Sequence, residues 1–289
     1  MYTMKNIKKY NNNIILAEDF GQEVIVLGKG IGFQAVQGMD VDINLVEKIF
    51  IPQESASIGR FADTLSGLSY EYVLLASKIV DYGKEKLKVR LNPSIVVALA
   101  DHFSVVLQHP AKISTQTPLQ FDIRYIYPDE FQTGIEALEI IKRERDINLP
   151  EAEALNIALH FINAEFESSN MPVTFKIVTI TGDILRIVEQ YYKIILDKET
   201  LVFMRFINHV RSMVIEYVTA PQNVKSSKAD DELYKLALSR LEGVAECCSR
   251  ISDHLYKKYG LELHKNDAAL LAIYITKIME GIEDRELKS

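Results

Sequence analysis

The feature that most constrains the fold of this chain is an internal repeat of helical patterns. One pair of segments, LPEAEALNIALHFINAE and LHKNDAALLAIYITKIM, aligns His160 with Tyr274. An earlier pair, LNPSIVVALADHF and LDKETLVFMRFINHV, aligns His102 with His209. The first pair is offset by 114 residues and the second by 107 residues, and a repeat of that length is the size of a domain. The repeat therefore predicts two homologous all-α domains, each a helical bundle.

The first 50 residues have a strand pattern instead. Short runs of β-branched and aromatic residues occur in the order KNIKKY, NIILAE, EVIVLG, GFQAV and VEKIFIP. Turn-forming residues separate them at 11–13, 19–21 and 38–40. The pattern predicts a small antiparallel β-sheet. A sheet of about 55 residues buries little apolar surface, so we expect self-association or contact with the rest of the chain to stabilise it.

Composition and charge limit the class of protein further. Of 289 residues 48% are hydrophobic, and there is no apolar tract long enough to cross a membrane, so we expect a globular protein without membrane insertion. The N-terminal segment lacks the apolar region of a secretory signal, which predicts a cytoplasmic location. The net charge of −7 argues against a basic nucleic-acid coat, although residues 1–37 have a balance of +1, which leaves room for a small RNA or DNA module.

The glycine-rich segment GKGIGFQ, residues 28–34, does not fit a nucleotide-binding loop. A dinucleotide loop requires glycine at the position of Phe33, and a P-loop requires serine or threonine where Gly30 follows Lys29. Two interpretations remain at this point. In one the segment is a turn with Phe33 buried; in the other the glycines let the backbone approach nucleic-acid bases, Phe33 stacks on a base, and Lys29, Asn13 and Gln34 form hydrogen bonds.

The histidines at the repeated positions are candidates for phosphoryl transfer. A neutral imidazole on an accessible helix face is a nucleophile, although a single histidine there is more often a packing residue. His102, His160 and His209 occupy three of the four matched positions. The other three histidines, His109, His254 and His264, fall in turn-like or exposed phases.

Other kinds of site have no support in the sequence. Hydrolase and zinc motifs are absent, which predicts no catalytic residues, no metal, no cofactor and no enzyme activity. The adjacent Cys247 and Cys248 are expected to be packing residues. The carboxylates of DEFQTGIEALE and LPEAEALN are expected to be solvated helix faces or caps.

The chain resembles the BglG/LicT/SacY transcriptional antiterminators over nearly its whole length. NNNIILA and VLGKGIGFQ resemble the RNA-binding module of that family. LADHF and IALHFINAE resemble the two histidine boxes of its first regulatory domain, and INHV resembles the first box of the second. The resemblance implies three domains: an RNA-binding β module at 1–58 and phosphotransferase-system regulation domains at 65–170 and 171–289.

The function that the resemblance implies is sugar-responsive antitermination. A homodimer would bind a hairpin in leader mRNA, prevent the overlapping terminator from forming and allow transcription to continue. Carried over position by position, the RNA contacts would come from Lys8, Asn13, Gly28, Lys29, Gly30, Phe33 and Gln34.

The resemblance also implies control by histidine phosphorylation. A sugar permease of the phosphotransferase system would phosphorylate His102 and His160 and inhibit the protein, and the phosphocarrier HPr would activate it through the second domain. Tyr274 stands at the fourth histidine position, and a phenol does not accept phosphate from phosphohistidine as an imidazole does. We therefore expect control through His102 and His160 with weak or absent dependence on HPr.

Other functions are possible alternatives on the sequence alone. The first is a phosphorelay or sensory interaction protein whose β module only self-associates, because that module is close to neutral. A DNA-binding activator is less favoured, since we find no helix-turn-helix pattern and no room for one before residue 60. A metabolic enzyme is the least favoured.

Overall fold

The structure is a computed structural model, and it describes residues 4–51, 58–108, 123–165, 171–219 and 243–286. The chain divides into two compact units. The first unit comprises Met1–Gln116 and Asp129–Ser169, and the second comprises Thr117–Pro128 and Asn170–Ser289. Among the described helices, none has the length and apolar character needed to cross a membrane.

The first unit begins with the predicted antiparallel sheet. Its four strands lie in chain order and are β1 (Lys5–Lys9), β2 (Ile14–Asp19), β3 (Gln22–Leu27) and β4 (Lys48–Phe50). The predicted turns lie between β1 and β2 and, with positive φ at Phe20 and Gly21, between β2 and β3. GFQAV is not a strand, so that prediction is wrong. Backbone hydrogen bonds from Gly32 to Asn12 and from Phe33 to Gly30 fold this run into turns instead.

Both faces of the sheet are covered. Successive residues of a strand point to opposite faces, and the apolar residues of each face are buried in a different cluster. One face contacts the loops of the sheet itself, through a cluster that contains Ile15, Ala17, Val24, Val26, Ile31 and Val41. The other face joins the core of the following helices through Ile14, Leu16, Ile25, Leu27 and Phe50. The expected stabilisation by the rest of the chain is therefore present in the first unit.

Five helices complete the described part of the first unit. They are α1 (Ile58–Ser66), α2 (Tyr70–Leu87), α3 (Ser94–Val106), α4 (Pro128–Arg145) and α5 (Ala152–Glu165). At the start of α3, Asn92 Oδ1 accepts a hydrogen bond from the backbone N–H of Ser94 at 3.0 Å. Polar contacts connect the sheet region to the helices. Asn11 donates a hydrogen bond to the Ser66 carbonyl of α1 at 3.0 Å, and Lys48 forms an ion pair with Asp81 of α2.

The second unit repeats the last four of these helices. Its described helices are α6 (Met171–Tyr192), α7 (Leu201–Thr219), α8 (Val244–Tyr259) and α9 (Lys265–Glu286). Positive φ follows α2 at Lys88 and α6 at Lys193, 105 residues later. It also follows α4 at Asp146 and α8 at Gly260, 114 residues later. Matching helix ends therefore support the internal repeat that the sequence predicts.

An ion pair at matching positions supports the repeat independently. Lys78 on α2 pairs with Glu144 on α4 at 2.7 Å. The positions 105 and 114 residues later hold Asp183 on α6 and Lys258 on α8, which pair at 2.7 Å with the charges exchanged. The two bundles thus keep the same contact while the chemical identity of each partner has been reversed.

Candidate functional site

The glycine-rich segment after β3 is held in place by the turn between β1 and β2. Asn13 Oδ1 accepts a hydrogen bond from the backbone N–H of Gly30 at 2.9 Å, and Asn13 O accepts one from Gly28 at 3.0 Å. Gly30 has a φ of 76°, a conformation that side chains other than glycine rarely adopt. Asn13 therefore determines the shape of the loop, as well as offering a polar group near its surface.

Two of the loop glycines are required by close packing. A Cβ atom at Gly28 would lie 1.8 Å from the carbonyl oxygen of Leu45, and one at Gly32 would lie 2.1 Å from that of Asn11. Gly28 is buried and its N–H already bonds to Asn13, so its part in the loop is structural. Gly30 is only half-buried and leaves its backbone closer to solvent.

Phe33 lies at the surface of the loop with 71% of its area exposed. The interpretation of the segment as a turn with Phe33 buried is therefore wrong, and the ring is available to stack on a planar ligand. A pocket of about 370 Å³ lies beside it and is lined in part by Gly30, Phe33 and Gln34. The Nζ of Lys9 lies 5.9 Å from the Phe33 ring centroid, which places a cation next to this surface.

The remaining predicted RNA residues are exposed, but they differ in position. Lys29 and Gln34 are exposed on the glycine-rich segment itself. Lys8 lies on β1, where its Nζ is 4.4 Å from the ring centroid of Tyr10. The sequence interpretation did not include Lys9, the lysine that approaches Phe33, although it directly follows Lys8 in the sequence.

The first unit brings two of the predicted histidines together. The ring centroids of His102 on α3 and His160 on α5 are 5.3 Å apart. Nε2 of His102 lies 2.7 Å from Oε2 of Glu153, whose side chain is only 2% exposed. The other carboxylate oxygen of Glu153 accepts a hydrogen bond from Asn156 Nδ2 at 2.9 Å.

Burial, and to a smaller extent the neighbouring His102, lowers the pKa of His160 to about 4. His160 is therefore neutral at pH 7. A neutral imidazole has one nitrogen with a free lone pair, which is the state that a nucleophile requires. His160 thus meets the first chemical requirement for phosphoryl transfer.

The second unit places His209 and Tyr274 in the equivalent arrangement. Their ring centroids are 5.7 Å apart. Burial lowers the pKa of His209, while Asp267 acts in the opposite direction. Asp267 is the repeat equivalent of Glu153, but its Oδ2 accepts a hydrogen bond from the Tyr217 hydroxyl at 2.6 Å. Among the described residues, Nε2 of His209 is buried and has no hydrogen-bond partner.

Comparison with known proteins places the glycine-rich segment and the pair of His102 and His160 in recognised domains. A model of the CAT RNA-binding domain matches residues 4–58, and a model of the PRD domain matches residues 77–164. A beta-glucoside operon antiterminator of Dickeya chrysanthemi is 30% identical over 98% of this chain and 99% of its own length. The chain belongs to the BglG/LicT family of transcription antiterminators. The antiterminator LicT of Bacillus subtilis is also 30% identical, over 96% of this chain and 99% of its own length. The crystal structure of GlcT CAT-PRDI covers 58% of this antiterminator and 99% of that chain, at 26% identity and a TM-score of 0.48.

Glu153 is a second functional candidate of this antiterminator, after Lys9, that the sequence did not predict. The expectation that the LPEAEALN carboxylates are solvated or capping groups is wrong for Glu153, which is buried against His102. Glu136 of DEFQTGIEALE is partly exposed and accepts hydrogen bonds from Tyr82 and Lys86. Glu153 precedes His160 by seven residues, or about two helical turns, so helical phase alone could have placed both on one face.

The remaining predictions about side-chain chemistry have mixed outcomes. Cys247 and Cys248 are buried and unpaired, as expected for packing residues, and burial raises the pKa of each thiol to about 12. His254 is not simply exposed, because its Nε2 lies 2.8 Å from the buried carboxylate of Asp183. His109 lies outside the described residues. In the described ranges we find no group of three side chains that could hold a metal ion.

Proposed function

We propose that this antiterminator binds a hairpin in a leader mRNA as a homodimer and prevents formation of the overlapping terminator in response to a sugar. The observation that carries the RNA part of the proposal is the exposed Phe33 ring on a loop whose backbone is fixed by Asn13. The sugar response is supported by a relative at 30% identity that is a beta-glucoside operon antiterminator.

The proposed RNA surface includes all seven residues that the family resemblance implies, but they have different roles. Phe33 stacks on a base, while Lys8, Lys29 and Gln34 make polar contacts. Asn13, Gly28 and Gly30 shape the backbone that presents these groups. Lys9 joins the surface because its ammonium group approaches the Phe33 ring.

Control of the protein is proposed to act through histidine phosphorylation. A phosphorylated sugar permease transfers phosphate to His102 and His160, which lie side by side in the first unit. Each phosphate adds about two negative charges, which changes the packing of the helices and of any dimer that they form. Phosphorylation by HPr is weak or absent, because Tyr274 takes the place of a histidine beside His209.

The domain boundaries belong to the same proposal. The RNA-binding module comprises residues 1–58, and the two regulation domains comprise residues 65–170 and 171–289. The contacts of the sheet with α1 and α2 tie the proposed RNA-binding module to the first regulation domain. A change in the helices around His102 therefore has a physical route to the RNA-binding surface.

A binding and reporter experiment on the full chain tests this function. The probe is the leader RNA of the operon adjacent to the gene, folded as a hairpin with asymmetric internal loops. We expect nanomolar binding that is lost when the internal loops are replaced by Watson–Crick pairs. A leader–reporter fusion should be read through with the protein, and incubation with phosphorylated permease should reduce the readthrough.

The rival function, a relay protein without RNA binding, predicts a different result in the same experiment. It would show phosphate incorporation at His102 and His160 with no sequence-dependent RNA binding. Equal affinity for the looped and the fully paired hairpin would contradict the antitermination proposal. Sedimentation of the free protein and of its RNA complex tests the proposed stoichiometry. We expect two protein chains for each hairpin in the complex.

A further inference from the structure

We infer that His102 accepts the phosphoryl group on Nδ1, and that Glu153 is the positioning residue that makes this nitrogen the nucleophile. The inference rests on the proposed phosphorylation of His102 and adds the atom at which it occurs. It also gives a role to a buried carboxylate that the proposed function leaves unused.

The hydrogen bonds around Glu153 determine which nitrogen of His102 carries the proton. Oε2 of Glu153 lies 2.7 Å from Nε2 of His102, and Oε1 accepts a hydrogen bond from Asn156 at 2.9 Å. An ionised carboxylate only accepts hydrogen bonds, so Nε2 must be the donor. A neutral His102 therefore carries its proton on Nε2 and its free lone pair on Nδ1.

Exposure differs between the two partners in a way that suits this assignment. The side chain of Glu153 is 2% exposed, whereas that of His102 is 20% exposed. The carboxylate is thus buried beside Nε2, and part of the His102 side chain still reaches solvent. A phosphoryl donor can approach the ring while Nε2 remains occupied.

In the transfer, one bond to phosphorus forms and one bond to phosphorus breaks. The donor is a protein-bound phosphoimidazole or phosphothiolate. The lone pair of Nδ1 forms the new P–N bond while the P–N or P–S bond of the donor breaks, and the electron pair of that bond stays with the donor atom. The His102 ring becomes a cation that keeps its Nε2–H, and the negative charge of Glu153 stabilises that cation, as a buried aspartate does for the histidine of a catalytic triad.

The second unit provides an internal contrast. Asp267 occupies the repeat position of Glu153, but Tyr217 donates a hydrogen bond to its carboxylate at 2.6 Å. Within the described residues, His209 has a buried Nε2 with no hydrogen-bond partner. A carboxylate therefore orients the ring of His102 but not that of His209.

The first measurement is the tautomer of His102 in the unmodified protein. Full-length protein labelled with ¹⁵N-histidine is studied by NMR at pH 7, and the His102→Ala variant identifies the His102 signals. We expect a protonated Nε2 and an unprotonated Nδ1. The opposite tautomer would overturn the inference.

The second measurement is the position of the phosphoryl group. Potassium phosphoramidate is used as a small phosphoryl donor, and two-dimensional NMR of the labelled protein distinguishes the modified nitrogen. We expect phosphate on Nδ1 of His102. Phosphate on Nε2, or no modification of His102, would overturn the inference.

Substitution of Glu153 by glutamine tests the positioning role. In Glu153→Gln the amide oxygen can still accept from Asn156, which leaves the amide NH₂ facing Nε2 of His102. Nε2 must then accept, the proton moves to Nδ1, and neither nitrogen is a free nucleophile. We expect the tautomer to reverse and phosphorylation of His102 to slow by at least roughly tenfold, since loss of an orienting carboxylate costs more than this in catalytic triads.

The matched control is Glu151→Gln, which removes a nearby carboxylate that is exposed. It should leave both the tautomer and the rate unchanged. A Glu153→Gln variant that keeps the wild-type tautomer and rate would exclude the positioning role. If phosphoramidate modifies Nδ1 but phosphorylated permease does not modify His102, the proposed regulation fails while the assignment of the nitrogen stands.

Discussion

Phe33 is the single side chain on which the proposed RNA contact depends most. Its ring is 71% exposed, so removing it creates no cavity in the core. We expect Phe33→Ala to weaken binding of the leader hairpin by roughly 1–3 kcal/mol, the value of one base stacked on an aromatic ring. Fluorescence anisotropy with labelled hairpin measures the loss.

A second exposed aromatic residue provides the control. Phe20 lies in the turn between β2 and β3 and is 89% exposed. Phe20→Ala should retain wild-type affinity. Circular dichroism of both variants should match the wild type; a loss of strand signal in Phe33→Ala would show that Phe33 supports the fold instead.

His160 makes the stability of the first unit depend on pH. Its pKa is about 4 in the folded protein against 6.5 when unfolded, so the unfolded chain binds the proton first as pH falls. The resulting loss of stability is small above pH 6.5 and grows as pH falls toward 4. Between pH 7 and pH 5 we expect the free energy of unfolding to drop by about 2 kcal/mol from this residue.

Urea unfolding of the wild type and of His160→Gln at both pH values isolates the effect. The glutamine variant has no group that titrates at this position, so its stability should change less over the same interval. Parallel changes in the two proteins would contradict the lowered pKa of His160.

At the level of helices, a glycine on α2 leaves room for an aromatic ring of α5. A Cβ atom at Gly83 on α2 would lie 2.2 Å from the Phe161 ring on α5. We expect Gly83→Ala to lower the free energy of unfolding by roughly 1–3 kcal/mol, because the ring must move within a packed core. Thermal unfolding followed by circular dichroism provides the measurement.

Gly281 on α9 is the matched control, since it lies in a helix and a Cβ there would meet nothing within 4 Å. Gly281→Ala should raise stability by up to about 1 kcal/mol, the difference in helix propensity between the two residues. Similar effects of the two substitutions would show that the Phe161 contact does not limit the packing.

Sequence patterns predicted most of the strands, but not the contacts that decide between a strand and a turn. Val24 to Leu27 and Ile14 to Ala17 form strands because each run pairs with the other in register. GFQAV has a similar composition, yet it forms turns because Gly32 packs against the Asn11 carbonyl. A short apolar run does not identify its partner, and the partner decides between strand and turn.

The candidate sites show the same distinction between pattern and packing. The repeat predicted that His102 and His160 correspond to His209 and Tyr274, and the rings of these two pairs lie 5.3 and 5.7 Å apart. It did not predict that Glu153 is buried against His102 while Asp267 bonds to Tyr217. Those partners lie 51 and 50 residues apart in sequence and meet only after the helices have packed.

For the molecule as a whole, the charge distribution predicts a weak salt dependence of RNA binding. The net charge is −7, and the proposed RNA surface has only Lys8, Lys9 and Lys29 as cations. Three phosphate contacts correspond to a slope of about −2 to −3 per module in a plot of log K against log salt concentration. Titrations of the hairpin at several salt concentrations give this slope, and a value several times steeper would require a basic surface elsewhere.

The last prediction concerns regulation of the whole protein through its second unit. Tyr274 lies beside His209 where the repeat has His160 in the first unit, and a phenol is a poor acceptor from phosphohistidine. We expect phosphorylated HPr to label the second unit weakly and to activate antitermination little. Tyr274→His should increase both the labelling and the readthrough of a leader–reporter fusion.

Two variants determine whether the gain comes from the restored pair. The double variant Tyr274→His with His209→Ala tests the new imidazole in the absence of its neighbour. Tyr274→Phe removes the hydroxyl without adding a nucleophile. Tyr274→Phe should behave like the wild type, since neither ring accepts phosphate. Strong HPr-dependent activation of the wild type through His209 would mean that one histidine suffices and that the substitution at 274 does not weaken HPr control.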